Sequence, residues 1–354
     1  MSDRDASLLG FVLKERSLLT KRDEVSGNEE LVYSLKFSVK NVGALQYRVG
    51  DSLAILPEND PEAVDALLDA LSLRGESPLL DPRTNKVFDA KTFLTKRADL
   101  DRLSEFSRSL FSEESCVQKD GRKVSLRELL LEYRPKIRLE DVTSLFSPLL
   151  PRFYSIASSP LWDRDSLELT VRSILVKGAH SSWPGVCSSY ICNRIQENEE
   201  IQGYISPTQH FTLNENNQGK PLIMIGAGTG IAPYRAFMQE RLYLQERAKN
   251  YLFFGERKRN SDFYYEDFWQ RCCDQELLEV HLAFSRENDQ KVYVQDKVLE
   301  KSAQIQNACA SGAHIFVCGS KLMGAEIRKT LEIILGKETF KEFRKTKRFV
   351  ADVY

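Results

Sequence analysis

A glycine-rich junction constrains the fold of this chain more than any other stretch. Gly226-Ala227-Gly228-Thr229-Gly230 follows the apolar run Leu222–Ile225 and leads into a helical pattern that includes Tyr234, Phe237 and Met238. A strand that ends in glycines and continues as a helix brings backbone amides and the positive end of the helix dipole to one point, which suits phosphate. Such a turn also serves ordinary strand–helix packing, so alone it identifies no ligand.

The sequence around this junction alternates between short apolar runs and helical segments. The runs are Leu222–Ile225, Tyr251–Phe254, Val280–Phe284 and His314–Val317. This alternation predicts parallel strands with helices between them, and hence a doubly wound α/β domain over residues 216–354. The polar, turn-rich stretch Asn214–Lys220 is the predicted linker before it.

The first part of the chain has a different pattern. Leu31–Val39 alternates apolar and polar residues, which predicts a half-buried antiparallel strand, and strand character returns at Arg152–Ala157, at Leu167–Val176 and weakly at Phe211–Leu213. These stretches predict a β domain over residues 1–60 and 146–215. Residues 61–145 are predicted to be a mostly helical insertion, whose first helix begins with Asp60 as N-cap and Pro61 at its first position.

Composition excludes several classes of function. The 354 residues carry 50 Lys and Arg against 51 Asp and Glu, a net charge of −1 that gives no electrostatic case for nucleic-acid or membrane binding. The polar start Met1–Asp5 predicts no secretory signal. Seven cysteines without ligand spacing and four separated histidines predict no metal site, and the cysteine pattern favours a reducing cytoplasm.

Two further stretches carry candidate site residues. Ser285 and Arg286 directly follow a predicted strand, and Lys291 lies close behind them; a hydroxyl, a guanidinium and an ammonium suit a phosphate monoester, and Tyr293 could stack on adenine. The alternative is a solvated charged loop. Because the chain also has a glycine turn that suits a dinucleotide, the favoured ligand of these residues is the 2′-phosphate of NADPH.

The stretch Arg152-Phe153-Tyr154-Ser155-Ile156-Ala157-Ser158 suits a flavin. Alternation puts Arg152, Tyr154 and Ser158 on one face of a strand, where they offer a guanidinium for pyrophosphate, an aromatic ring and a hydroxyl. A β-strand with an ordinary surface tyrosine is the alternative, and the residues alone leave both open.

Taken together, these motifs resemble a known family. Arg152-x-Tyr154-Ser155-x-x-Ser158 resembles the flavin motif of the ferredoxin–NADP⁺ reductase superfamily, Gly185-Val186-Cys187-Ser188 its pyrophosphate turn, and Gly226–Gly230 its NADPH loop. Further matches narrow the resemblance to the C-terminal FAD/NADPH module of diflavin reductases, nearest to the flavoprotein subunits of NADPH-dependent sulfite reductases. They are Ser285-Arg286, Lys291-Val292-Tyr293-Val294-Gln295, Cys318-Gly319 and Asp352-Val353-Tyr354.

The resemblance implies a fold and a set of roles. It implies an antiparallel β-barrel that binds FAD, a helical connecting insertion and a doubly wound NADPH domain, with a hydride passing from NADPH to FAD. The implied catalytic residues are Ser155, Cys318 and Asp352. The implied FAD contacts are Arg152, Tyr154, Ser155, Thr170, Val171, Gly185, Val186, Cys187, Ser188 and a stacked Tyr354. The implied NADPH contacts are Thr229, Ser285, Arg286, Lys291, Tyr293 and Gln295.

The sequence departs from the family pattern at several positions. Ala227 stands where a proline is common, Ser320 where an aspartate is common, and Thr212 where relatives often carry arginine. Glu326 could replace the acid missing at position 320. The region between Leu335 and Arg348 looks shortened.

The resemblance also implies partners. Electrons would leave singly to an FMN-containing flavodoxin-like domain or protein and, by resemblance alone, toward a siroheme sulfite reductase subunit. Nothing before Leu31 is long enough to form the FMN domain, so that protein is expected to be separate or missing from this sequence. Two alternatives stay open: a stand-alone ferredoxin or flavodoxin reductase, which would usually lack the insertion, and a catalytically silent docking subunit.

Overall fold

The computed structural model describes residues 8–21, 30–40, 43, 45–111, 124–287 and 289–354. Residues Met1–Asp5, where no secretory signal is predicted, lie outside these ranges. The strands are β1 (Leu9–Leu18), β2 (Val32–Val39), β3 (Ser52–Ile55), β4 (Pro78–Asp81), β5 (Lys86–Asp89), β6 (Ala98–Leu103), β7 (Phe146–Pro148), β8 (Arg152–Ser155), β9 (Ser166–Arg172), β10 (Leu175–Lys177), β11 (Ser182–Pro184), β12 (Glu200–Ser206), β13 (Leu222–Ala227), β14 (Asn250–Glu256), β15 (Leu278–Phe284), β16 (His314–Gly319) and β17 (Phe349–Val353).

The α-helices are α1 (Pro61–Ala70), α2 (Ala90–Lys96), α3 (Glu105–Leu110), α4 (Leu126–Tyr133), α5 (Val186–Ser189), α6 (Ala232–Tyr243), α7 (Arg259–Asp262), α8 (Glu266–Asp274), α9 (Val294–Glu300), α10 (Ser302–Ala310), α11 (Lys321–Leu335) and α12 (Lys337–Lys345). Two 3₁₀ segments cover Leu139–Leu145 and Gly228–Ile231, and a π-helical segment covers Tyr190–Arg194. No helix among the described residues is long and apolar enough to cross a membrane. Within the same ranges, no group of His, Cys, Asp and Glu could hold a metal ion.

The first part of the chain forms a six-stranded antiparallel sheet in the order β8-β3-β12-β1-β2-β9. The alternation in β2 buries Leu35 and Phe37 against Phe11 of β1, which gives this sheet its own apolar core. The antiparallel sheet is therefore confirmed, but the closed barrel is not. Its edge strands β8 and β9 are joined by a single bridge between Ile156 and Leu169, because β8 ends at Ser155 before a ladder can form.

One predicted strand is wrong, and several strands escaped prediction, among them two in the middle of the antiparallel sheet. Residues 211–213 form no strand, because Phe211 packs on Phe316 and Phe237 of the second part of the chain, with ring centroids 5.2 and 5.8 Å apart. The Thr212 hydroxyl donates to the Val49 carbonyl at 2.7 Å. Strands β1 and β12, which pair with each other in the middle of the sheet, were not predicted.

The insertion between β3 and β8 contains α1 to α4 around an apolar core that includes Leu67, Phe93 and Leu130. Asp60 caps α1 as predicted, since its carboxylate accepts hydrogen bonds from the Glu62 and Ala63 amides at 3.0 and 3.4 Å, and Pro61 follows it. The pairs β4–β5 and β6–β7 add two small antiparallel sheets, so this region is less uniformly helical than predicted.

The second part of the chain is a five-stranded parallel sheet in the order β15-β14-β13-β16-β17. Successive residues of β13 point to opposite faces: Leu222 and Met224 pack in one apolar cluster with α6 and α8, and Ile223 and Ile225 in another with α9 to α12. The doubly wound α/β domain is confirmed. Its strand order reverses at β13, so the crevice for a ligand lies at the carboxyl ends of β13 and β16.

Helix α6 ties the two sheets together. The Arg235 guanidinium donates to the Ala157 carbonyl at 2.8 Å and pairs with the Glu168 carboxylate at 2.9 Å, and it lies over the Tyr265 ring. The Ser159 hydroxyl donates to Glu240 at 2.8 Å. The predicted linker Asn214–Lys220 forms turns that are packed rather than free, because Arg241 donates to the carbonyl of the buried Asn217.

Candidate functional site

The glycine turn after β13 lies at the reversal point of the parallel sheet. Gly228 has a φ of +59°, in the left-handed region that favours glycine. Gly230 has no room for a side chain, since a Cβ there would lie 2.2 Å from the Cys318 carbonyl oxygen at the end of β16. The turn is therefore held against the neighbouring strand with its backbone facing the crevice.

A cleft of about 590 Å³ opens at this edge of the sheet. Five of the residues predicted to contact nucleotide or flavin line it: Thr229, Ser285, Tyr293, Gln295 and Tyr354. The Tyr293 ring is 46% exposed and stands free for stacking at the start of α9. A concave cleft with glycine backbone, hydroxyls and an exposed aromatic ring fits an extended dinucleotide.

Arg286 and Lys291 do not line this cleft, although they follow Ser285 on the same loop between β15 and α9. Both side chains are exposed, and neither makes an ion pair within the ranges that the structure describes. The Arg286 amide donates to the Arg257 carbonyl at 2.8 Å, which fixes the start of the loop. Two free cations thus lie beside the cleft rather than in its wall.

Tyr354 closes one side of the cleft. Its hydroxyl lies 2.8 Å from the Thr229 hydroxyl, and its backbone amide donates to the Gly319 carbonyl at 3.1 Å. The ring remains 60% exposed. Burial of the hydroxyl raises the pKa of Tyr354 to about 12, so the phenol is neutral at physiological pH.

The three predicted catalytic residues meet where the two sheets adjoin. Cys318 and Asp352 are paired on neighbouring strands β16 and β17, and the Asp352 carboxylate accepts a hydrogen bond from Ser155 at the end of β8. Burial raises the pKa of Asp352 despite this hydrogen bond, and burial raises the pKa of the Cys318 thiol well above its usual range. The thiol is therefore neutral at pH 7.

The predicted flavin residues of β8 form a second group. Tyr154 packs against the core of the antiparallel sheet, and its hydroxyl contacts the Cys187 thiol. Burial raises the pKa of Cys187 to about 11. The exposed Arg152 guanidinium donates to the Leu150 carbonyl at 3.1 Å and pairs with no carboxylate in the described part of the chain. It is a free cation beside Tyr154.

The turn from Gly185 to Ser188 lies at the start of α5. Gly185 is the N-cap and supplies no side chain to the first-turn amides, which are therefore left without a side-chain cap. The Ser188 hydroxyl accepts from the Ile174 amide at 3.2 Å and donates to the Gly185 carbonyl at 3.3 Å. Val186 is half-buried beside it. Uncapped amides of this kind suit a phosphate oxygen.

The side chains of Thr170 and Val171 on β9 are engaged inside the protein. Val171 is fully buried in the core of the antiparallel sheet. The Thr170 hydroxyl lies 2.7 Å from the hydroxyl of Tyr265, so it joins β9 to the start of α8. Any contact of these two residues with flavin would therefore use their backbone, and their predicted role stays a prediction.

Sequence reasoning missed a charged network in the wall of the cleft. Arg172, the last residue of β9, pairs with Glu256 and Glu30, and the Tyr264 hydroxyl donates to Glu256 at 3.1 Å. Burial opposes the charge of Arg172, but these carboxylates raise the pKa of its guanidinium. Arg172 follows the predicted flavin residues directly on β9, a signal that could have extended the predicted set.

The departure at position 320 has a structural explanation. Ser320 caps α11, since its hydroxyl accepts from the Met323 amide at 3.2 Å, a task that an aspartate would also perform. Ala227, Ser320 and Glu326 all line the cleft. The predicted replacement of the missing acid by Glu326 in contacting a nucleotide stays a prediction.

Comparison with known families agrees with this geometry. Residues 224–329, from the middle of β13 into α11, match the family described as oxidoreductase NAD-binding domain. The match contains the glycine turn, Ser285, Tyr293 and Cys318, which the fold collects at one edge of the sheet.

Similarity to individual proteins extends well beyond the NAD-binding domain. The chain is 33% identical to the sulfite reductase [NADPH] flavoprotein alpha-component of Pectobacterium atrosepticum over 93% of its own length and 57% of that protein. It is 31% identical to the same component of Mannheimia succiniciproducens, over 95% of this chain and 59% of that protein. The chain thus spans less than two thirds of the length of these relatives. The resemblance predicted from the sequence is confirmed.

Proposed function

We propose that this chain is an NADPH-dependent flavin oxidoreductase that takes a hydride from NADPH onto FAD. The contact of Ser155 with Asp352, beside Cys318, carries this proposal. It joins the strand predicted to hold flavin to the edge of the sheet predicted to hold nicotinamide. The NAD-binding domain and the names of the flavoprotein relatives support the same function.

The residues present fit both cofactors. For FAD, Arg152 and the uncapped amides after Gly185 would hold the pyrophosphate, and Tyr154 and Tyr354 would enclose the ring. For NADPH, Thr229, Ser285, Tyr293 and Gln295 line the cleft, and Arg286 and Lys291 lie free beside it for the 2′-phosphate. When bound, FAD supplies the two-electron to one-electron conversion, which no protein side chain performs.

The protein's own groups align the cofactors and control charge at the hydride path. Ser155 and Asp352 are hydrogen-bonded to each other from two different sheets, so they would hold the flavin side and the nicotinamide side of the site in a fixed relation. The neutral Cys318 thiol adds no charge to a site where hydride must pass. Tyr354 must move before nicotinamide can approach, and its exposed ring leaves room for that motion.

We further propose that electrons leave singly to an FMN-containing flavodoxin-like domain or protein, and from there toward sulfite reduction. The names of the relatives support sulfite as the final substrate. A siroheme subunit as the further partner rests on the sequence resemblance alone. The helical insertion between β3 and β8 favours this over a stand-alone ferredoxin or flavodoxin reductase. A cytoplasmic location remains a prediction from the cysteine content.

The colour of the purified protein tests the proposal. We expect a yellow protein whose flavin absorbance is bleached by NADPH without oxygen. A colourless protein that cannot be reconstituted with FAD would contradict the proposed function and favour a silent docking subunit. Bleaching by NADH as readily as by NADPH would contradict only the roles of Ser285, Arg286 and Lys291.

A further inference from the structure

The turn from Gly185 to Ser188 follows a small β-hairpin. Strands β10 and β11 pair antiparallel over three residues each, and Gly185 comes directly after β11. The two strands form a sheet of their own, separate from the six-stranded sheet. A two-stranded hairpin by itself is marginally stable in water. Contacts with other parts of the chain must therefore fix this hairpin, and with it the turn.

The side chain of Trp183 anchors the hairpin to the insertion. It is the only buried residue among the six of β10 and β11. Its indole N–H donates to the Asp101 carboxylate of β6 at 3.1 Å, and the guanidinium carbon of Arg127 on α4 lies 5.0 Å from its ring centroid. Asp101 Oδ1 and Arg127 Nε are 3.1 Å apart, so the two charges that hold Trp183 also hold each other. Gly178 leaves room for the ring, since a Cβ there would lie 2.3 Å from it.

Glu128, the residue after Arg127 on α4, holds the tip of the same hairpin. One of its carboxylate oxygens accepts from the Ser125 amide at 3.0 Å and completes the cap of α4. The other oxygen accepts from the His180 amide at 2.8 Å and from the Ser181 amide at 3.4 Å. Two consecutive residues of one helix thus contact the second strand and the tip of the hairpin.

The turn lies close to this anchor. Gly185 follows Trp183 by two residues of extended chain, a span of about 7 Å. On the other side of the turn, Cys187 packs in the core of the antiparallel sheet. The uncapped amides after Gly185 are therefore held between two attachments, one in each region of the chain. A turn that is already ordered binds a ligand without the entropy cost of ordering it on binding.

We propose that Asp101, Arg127 and Glu128 are positioning residues for FAD, because they hold the hairpin that carries the pyrophosphate turn. This inference rests on the proposed function, which assigns the FAD pyrophosphate to the turn after Gly185. The three residues act on the turn through Trp183 and the hairpin backbone. The insertion therefore contributes to the affinity for the cofactor, in addition to forming its own apolar core.

The test removes the Asp101 carboxylate and compares the result with a matched change elsewhere in the insertion. Asp101→Ala leaves the indole N–H and Arg127 without this partner. In the control, Asp81→Ala removes another carboxylate of the insertion, one that is paired with Arg83 and Arg97. Each full-length protein is freed of flavin and titrated with FAD, and quenching of flavin fluorescence gives the Kd. Urea denaturation and titration with NADP⁺ are carried out on the same preparations.

We expect Asp101→Ala to raise the Kd for FAD by at least about tenfold, because it leaves a buried donor unpaired and frees the hairpin. Asp81→Ala should stay within about twofold of wild type, despite its own loss of stability. Asp101→Asn keeps an oxygen that can accept the indole N–H, so it should restore the Kd to within about threefold of wild type. The affinity for NADP⁺ should be unchanged in all three proteins, because none of the substituted residues lines the nucleotide cleft.

A Kd for Asp101→Ala within about twofold of wild type would overturn the positioning role. An equal loss in Asp81→Ala, or a parallel loss of affinity for NADP⁺, would also overturn it, since the change would then reflect general instability. If Asp101→Ala does not fold, Trp183→Phe takes its place, because it keeps a ring beside Arg127 and lacks only the N–H. We expect it to weaken FAD binding about threefold to tenfold, and unchanged binding would overturn the role.

The same preparations separate this inference from the proposed function. A wild-type protein that binds FAD but is not reduced by NADPH would contradict the proposed function and leave the positioning role standing. A wild-type protein that binds no FAD would contradict both. Tight FAD binding and reduction by NADPH, with no difference between Asp101→Ala and wild type, would contradict the positioning role alone.

Discussion

The hydroxyl oxygens of Tyr354 and Thr229 lie 2.8 Å apart, so the last side chain of the sequence bonds to the glycine turn that begins the nucleotide site. Tyr354 is nevertheless 60% exposed and is held by its backbone at Gly319 and Lys321. A side chain attached by one hydrogen bond at the border of the cleft can move aside at small cost. We therefore predict that Tyr354 acts as a gate for nicotinamide rather than as a fixed wall.

Removal of the Tyr354 ring should change the preference between nicotinamide cofactors. We expect Tyr354→Ala to shift the ratio of kcat/KM for NADH and NADPH by about tenfold, because the lost ring no longer competes with nicotinamide for the flavin. Tyr354→Phe removes only the bond to Thr229 and should change the ratio by less than about threefold. Steady-state kinetics and the flavin spectrum measure both effects. An unchanged ratio and spectrum in Tyr354→Ala would refute the stacking role.

Arg286 and Lys291 should select the phosphorylated nucleotide. We expect Arg286→Ala or Lys291→Ala to lower kcat/KM for NADPH by about tenfold to a hundredfold, because each removes a charged hydrogen bond to the 2′-phosphate. The value for NADH should stay within about twofold. Lys297→Ala is the matched control, since Lys297 is paired with Glu300 on α9 outside the cleft. Equal losses for both nucleotides would show that the loop acts on folding or general affinity.

Gly230 should tolerate no side chain. A Cβ at this position would lie 2.2 Å from the Cys318 carbonyl oxygen, so we expect Gly230→Ala to reduce the free energy of unfolding by about 1–3 kcal/mol and to weaken NADPH binding. Gly75→Ala is the control, because its Cβ would meet Lys91 at an ordinary 3.6 Å. Urea denaturation and nucleotide titration measure the two effects. A Gly230→Ala protein as stable as Gly75→Ala would contradict the packing of the turn on β16.

Asp81 should make stability depend on pH in the acid range. Burial alone would raise its pKa, but hydrogen bonds from Arg83 and Arg97 outweigh it and lower the pKa from 3.8 to about 2. The ionised carboxylate therefore stabilises the folded chain fully above pH 3.8, and this contribution disappears as the pH falls toward 2. We expect Asp81→Asn to cost about 2 kcal/mol at pH 7. The difference from wild type in urea denaturation should shrink below pH 4. A constant difference down to pH 2 would contradict the assignment.

Sequence patterns predicted the elements that depend on interactions between residues close together in the chain. The apolar runs that became β13 to β16, the cap of α1 at Asp60 and the glycine turn each depend on neighbours within a few residues. Any fold that contains such a strand, cap or turn requires the same residue types there. These elements can therefore be predicted from the sequence without a structure. The motifs also indicated which residues to seek at the site.

Other features depend on contacts between residues that are distant in the sequence, and no local pattern predicts them. The bend at Phe211 follows from its packing on Phe316, more than a hundred residues later, and the sheet stays open because β8 ends at Ser155. The carboxylates that hold Arg172 come from residues far from it in sequence.

The site itself shows the same division. The sequence supplied Ser155, Cys318 and Asp352 as candidates, but only the folded chain pairs Cys318 with Asp352 on neighbouring strands and brings Ser155 of the other sheet to the Asp352 carboxylate. That proximity depends on how the two sheets pack against each other. The free energy of this packing is distributed over many residues that are distant in sequence, so no single segment predicts it.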